Sequence, residues 1–234
     1  MRTILTLIWW SVATPLAALV LIPHALLTGN ADVLYGVAMR IVRAGIWMSG
    51  VQVIITGRDR LDPRQAYIFM ANHVSNIDPP ILVPLLPKRT SVLVKKELFR
   101  IPALGTAMRV ANLVPVDRHN RDAAIQSVRD ASEVIRSGLD MTIFPEGTRS
   151  RDGRLLPFKK GPFYLAMDSG CPVVPVSILG TFEILPKGKF FIRHGTAELV
   201  FHEPLWPQDF PDRDGLMDAT RSAINSSLPS ERRD

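Results

Sequence analysis

The chain has 234 residues, 47% of them hydrophobic, a single cysteine and a formal charge of +6 at pH 7. That length suits one domain with a sizeable core plus an appendage, and a lone Cys171 excludes an intramolecular disulfide framework. The basic excess is local, with eight basic against three acidic side chains over 87–122 and four against eight over 195–234. Such a patch suits an anionic substrate or an anionic membrane surface. Without interleaved aromatics or a nucleic-acid module it argues against nucleic acid.

From Ile4 to Thr28 the chain reads ILTLIWWSVATPLAALVLIPHALLT, free of Lys, Arg, Asp and Glu. That is long enough to cross a hydrocarbon core of about 30 Å, with Trp9 and Trp10 suited to an interface. A signal peptide fits less well, because the apolar region is too long and no small-x-small cleavage site follows it. Asp32 to Ser49 places Leu34, Val37, Ile41, Gly45 and Met48 at helical spacing, near Arg40 and Arg43. This reads equally as an amphipathic helix along headgroups or as an ordinary core helix. Arg40, Arg43, Arg58, Arg60 and Arg64 follow the apolar run and only Arg2 precedes it, so the body is expected on the cytoplasmic side of a membrane. The apolar segment then either crosses once or dips into one leaflet as half of a helical hairpin. Residues 1–49 are expected as membrane-associated helices and 50–234 as the catalytic domain.

From Val51 the pattern becomes α/β. Strands are expected at 51–55, 66–70, 91–94, 113–116, 141–144, 173–178, 190–192 and 197–201. Helices are expected at 80–86, 102–111, 121–137, 158–169 and 214–227, with Gly138 and Gly170 as stops. Strands alternating with helices imply a mainly parallel sheet covered on both faces.

The strand at 66–70 runs into Asn72-His73-Val74-Ser75-Asn76-Ile77-Asp78-Pro79. A histidine and an aspartate thus meet at a strand-to-helix corner, where α/β proteins place their chemistry. A carboxylate on one imidazole nitrogen holds the tautomer and steadies the imidazolium. The plainer reading is that Asp78 caps the helix and His73 closes a turn. Ser75 lacks a nucleophile elbow, so Ser75 and Asn72 are expected to shape the turn. A second stretch, Phe144-Pro145-Glu146-Gly147-Thr148-Arg149-Ser150, follows the strand at 141–144. Gly147 lets backbone approach an anion, Thr148 can donate, and Arg149 can form a bidentate bond to phosphate. Glu146 is expected to position that arginine or to hold a substrate hydroxyl. The plainer reading is a surface turn with an incidental ion pair. The histidines lack ligand-like spacing, so no metal is expected. No nucleotide phosphate loop occurs either.

Four ordered motifs carry a resemblance. They are Asn72 to Asp78, Lys95-Lys96-Glu97-Leu98 with a nearby Ile-Pro and Gly105, Phe144 to Ser150, and the apolar Val-Pro-Val strand of Val173 to Val176. Over about residues 50–205 the chain resembles the phospholipid/glycerol acyltransferase family, in particular its bacterial 1-acyl-glycerol-3-phosphate acyltransferases. The resemblance implies a parallel α/β domain and His73 and Asp78 as catalytic residues. It assigns an acceptor's glycerol-phosphate to Glu146, Gly147, Thr148 and Arg149, with Lys95 and Arg118 as further phosphate partners. It implies transfer of an acyl chain from acyl-carrier protein or coenzyme A to lysophosphatidate at the inner membrane, with no cofactor beyond that thioester. Alternatives are another lyso-lipid or glycerol-3-phosphate as acceptor, or a catalytically silent protein that binds anionic membranes.

Overall fold

The computed structural model describes residues 2–117 and 121–233. Two helices, α1 (Arg2–Thr28) and α2 (Asp32–Ser49), pack together as a hairpin. The Trp9 indole donates to the Ile41 carbonyl at 2.9 Å and the Thr6 hydroxyl to the Gly45 carbonyl at 3.4 Å. Gly45 has to be small here, since a Cβ would stand 2.2 Å from the Trp10 indole nitrogen. Both ends of α1 meet the body. Thr3 donates to the Ile192 carbonyl at 3.0 Å, and Ile22 and Ala25 pack near Ala107 and Val110.

Among the described residues α1 is the one helix long and apolar enough to cross a membrane. Its outer face is bare, with Leu19 74% and Leu27 87% exposed. The inner face of α2 (Leu34, Gly45 and Ile46) is covered by α1 and the body instead, so its apolar side does not face outward. Arg89 of the body pairs with Asp32 at the start of this helix, at 3.0 Å.

The remaining elements are β1 (Val51–Thr56), β2 (Ile68–Ala71), α3 (Asp78–Leu82), β3 (Thr90–Lys95), α4 (Leu104–Val110), β4 (Val114–Val116), α5 (Arg121–Arg136), β5 (Asp140–Ile143), α6 (Gly161–Ser169), β6 (Val173–Leu179), α7 (Thr181–Ile184), β7 (Gly195–Phe201) and α8 (Arg213–Ser227). They build one seven-stranded sheet in the order β1-β7-β6-β2-β5-β3-β4. Every pairing is parallel except β6 with β7.

The central strand β2 is buried on both faces and reads as an unbroken apolar run, as a covered parallel strand should. Its alternate side chains feed two cores. Phe69 and Ala71 join Ile46, Ile81, Val174 and Val176 on the side of α2 and α3. Ile68 and Met70 join Ile135, Met141, Phe163 and Leu216 on the side of α5, α6 and α8. Cys171 belongs to this second core, where burial pushes its thiol up to about 12, as expected of a structural cysteine.

The strand expected at 190–192 is absent. The edge of β6 is taken by β7, which also pairs with β1, leaving this extended stretch without a partner strand.

Past the last residue of β2 the Asn72 side chain continues the ladder. Its amide donates to the Ile178 carbonyl at 2.9 Å, and its oxygen accepts the Ile178 N–H at 2.7 Å. Asn72→Ala should orphan both groups at a buried site and lower stability by about 2–4 kcal/mol, read as the denaturant midpoint at unchanged slope. A shift within experimental error would show that Asn72 does not join the strands.

Candidate active site

The site lies at the C-terminal ends of β2 and β5, adjacent parallel strands whose register ends at Met70 opposite Ile143. His73 Nδ1 lies 2.8 Å from Asp78 Oδ2. That same oxygen accepts the N–H groups of Val74 at 2.8 Å and Ser75 at 2.7 Å. Asp78 is not the helix cap of the plainer reading. It is instead the first helical residue, with its carboxylate turned back into the loop before it. Asp78 Oδ1 is buried without a hydrogen-bond partner among the described residues, so the carboxylate is compensated at Oδ2. With Nδ1–H facing Asp78, the lone pair of His73 sits on Nε2. The imidazole is 14% exposed.

The second stretch holds His73 from both sides of its backbone. Glu146 Oε1 accepts the His73 N–H at 2.6 Å, and the Ser150 N–H donates to the His73 carbonyl at 2.8 Å. The Phe144 ring stacks on the imidazole, with centroids 4.2 Å apart and planes 28° off parallel. Gly147 turns the chain here with φ +69°, a region that favours glycine. Thr148 is exposed and Arg149 half-buried on the resulting loop. The guanidinium of Arg149 makes no hydrogen bond or ion pair among the described residues. Lys187 supports the loop from behind, donating to the Arg149 carbonyl at 2.7 Å and to the Thr148 hydroxyl at 3.3 Å.

Residues 52–179, more than half of the chain, match the Acyltransferase family. The chain belongs to that family. It is 40% identical over 166 residues to a 1-acyl-sn-glycerol-3-phosphate acyltransferase of Limnanthes douglasii, covering 70% of this chain and 58% of the plant protein. It is 32% identical over 165 residues to one of Borreliella burgdorferi, covering 70% of this chain and 65% of that protein. The fold is similar to the crystal structure of the 1-acyl-sn-glycerophosphate acyltransferase PlsC from Thermotoga maritima. There the TM-score is 0.79 at 28% identity, covering 96% of this chain and 95% of that one. The chain thus spans little more than half the length of the plant relative it matches.

In this member of the family, Lys95 ends β3 on the same edge of the sheet, two strands from β2, hence about 10 Å away in the strand-stacking direction. It pairs with Glu97 at 3.6 Å. Arg118 lies outside the described residues. Glu146 differs from expectation. It is 2% exposed, and its oxygens accept the N–H groups of His73 and Leu156, the latter at 2.9 Å. It therefore braces the site through backbone groups. Two features escaped the sequence. Lys187 stands far from either motif, in a Pro-Lys-Gly-Lys turn whose basic residues were its one signal. An apolar cavity of about 260 Å³ opens beside Phe144 and Gly147, lined by Leu93, Val116, Val128, Ile143 and Leu165, residues from five elements that no local pattern joins.

Burial, opposed by the bonds from Leu156 and His73, raises the Glu146 carboxyl from 4.5 to about 7. A carboxyl raised on folding binds more protons in the folded chain between those values. Its contribution is therefore greatest below about 4.5 and is lost as pH rises through 7. Glu146→Gln removes this dependence, so the stability lead of wild type over the variant should shrink by about 2–3 kcal/mol from pH 5 to pH 8. Urea titrations across that range test it. A gap independent of pH would contradict the buried clamp.

Proposed function

We propose that the protein transfers a fatty acyl chain from a thioester to the free hydroxyl of lysophosphatidate, making phosphatidate. The observation that carries this reading is the His73–Asp78 pair at 2.8 Å, set beside a loop whose arginine guanidinium has no partner among the described residues. The names of the relatives support lysophosphatidate as acceptor.

In this reading His73 Nε2 takes the proton of the acceptor hydroxyl as its oxygen attacks the thioester carbonyl. The tetrahedral intermediate collapses with cleavage of the C–S bond, and the imidazolium returns the proton to the leaving thiolate. Asp78 Oδ2 holds the ring and stabilises the imidazolium between those steps. Transfer is direct, because the Ser75 hydroxyl donates to the Leu185 carbonyl at 2.7 Å and is fully buried, which suits a turn and not a nucleophile. Acyl-carrier protein and coenzyme A present the same thioester carbonyl, and the cavity beside Phe144 suits an acyl chain. Arg149 and the Gly147 backbone receive the acceptor's phosphate, with Lys95 as a further cation; the family resemblance adds Arg118, which lies outside the described residues.

The α1–α2 hairpin lies in one leaflet of the inner membrane, with the bare face of α1 in lipid and the catalytic domain on the cytoplasmic side. A silent lipid-binding protein would need neither the histidine nor its paired carboxylate.

Arg149→Ala should lower kcat/KM for lysophosphatidate by about 10- to 150-fold, the worth of one charge-assisted bond, through KM for the acceptor and not for the donor. Arg149→Lys should recover part of it, since an ammonium lacks the planar fork. Wild type should prefer lysophosphatidate strongly over uncharged monoacylglycerol, and the alanine variant should shrink that preference. A preference left intact would place phosphate recognition elsewhere.

A further inference from the structure

The segment 185–194 reads Leu-Pro-Lys-Gly-Lys-Phe-Phe-Ile-Arg-His and contains no acidic residue. Phe190 is 82% and Phe191 74% exposed. Adjacent residues of an extended chain point to opposite sides, so two bare neighbours mean that the segment stands clear of the surface. Its base is nevertheless rigid. The Lys189 N–H closes a turn on the Pro186 carbonyl at 3.0 Å with Gly188 at φ +86°, and the Arg193 N–H bonds the Ile184 carbonyl at 2.9 Å. Ile192 turns inward, 8% exposed, and its carbonyl accepts the Thr3 hydroxyl of α1. The exposed tip is therefore a held feature and not a loose end.

We infer that Phe190 and Phe191 form a second anchor, entering the surface of an anionic phospholipid bilayer beside α1. Two observations identify this occupant. Phe190 shares a crevice with Leu7 and Trp10 of α1, so the aromatic tip continues the bare apolar strip that begins at Ile4, Leu7 and Ile8. Exposed Lys189 and Arg193 flank it along the chain, the charge that phospholipid headgroups attract. Scattered surface apolar residues need no explanation, but a contiguous strip rimmed by cations does. The same segment reaches both site motifs. Ser75 donates to its Leu185 carbonyl, and its Lys187 donates to the Arg149 carbonyl. Seating the tip in lipid thus holds the mouth of the site at the bilayer surface, where a lysophospholipid arrives.

This inference rests on the membrane reading of α1, and the test separates the two. Cys171 is buried and can stay in place. Cysteines introduced as Leu19→Cys, Phe191→Cys or Asp218→Cys, the last on α8 across the sheet, are labelled one at a time with an environment-sensitive fluorophore. Each protein is added to phosphatidylglycerol/phosphatidylcholine vesicles carrying a lipid-bound quencher. Quenching at positions 19 and 191 but not 218 is expected. Quenching at 19 without 191 overturns the second anchor and leaves α1 in the membrane; quenching at neither overturns both. In parallel, Phe190→Ser/Phe191→Ser should weaken vesicle binding at least about tenfold, with turnover of a water-soluble short-chain acceptor unchanged. Undiminished binding of this variant would also overturn the second anchor.

Discussion

The pair of hydrogen bonds that grips the His73 backbone is the constraint on which the site depends. Glu146 takes the N–H and Ser150 supplies a donor to the carbonyl, so two loops 73 residues apart in the chain become one rigid unit. Neighbouring parallel strands make this possible, because β2 and β5 release their loops side by side at the same edge of the sheet. Once the backbone is held, Asp78 needs only to turn its carboxylate back to position the ring. The Phe144 stack then leaves one imidazole edge for chemistry. A burial that raises the carboxyl of Glu146 is the cost of placing a brace where water would loosen it.

Much of this was legible in the residues. The apolar run before Asn72 marked a buried central strand, and the histidine–aspartate spacing marked its corner. Helix ends followed glycine where expected, at Gly138 and Gly170. What was not legible depends on partners remote in sequence. Glu146 looked like a ligand because a carboxylate beside an arginine suggests solvent and charge, whereas each of its oxygens is bonded to a backbone N–H, of residues 73 and 156. The spacing pointed to Asp78 as the partner of His73; that its carboxylate also takes the N–H groups of Val74 and Ser75 was not visible. The helix expected from 158 begins at 161, because the Lys159 N–H is held by the Pro145 carbonyl. Phe190 and Phe191 looked like strand because strand propensity rewards aromatics, and only the sheet order shows that β7 already holds the edge of β6.

The helical pair and the α/β body are tied more closely than a tether would be. Trp10 and Ile46 reach the core that Phe69 and Val176 share, and Asp32 is bound to Arg89 at the entry to β3. Whatever surface α1 occupies, the site is held at a set height above it. That geometry suits the proposed transfer to a lipid acceptor.

The central claim is that His73, held by Asp78, takes the proton from the acceptor hydroxyl. Its most direct test is single-turnover thiol release from an acyl thioester, with saturating lysophosphatidate, by wild type and His73→Ala of matched thermal stability. The proposed mechanism predicts a loss of about 10²–10⁴-fold or more with lysophosphatidate still bound by the variant, whereas a folded His73→Ala protein that releases thiol at a near-normal rate would contradict it.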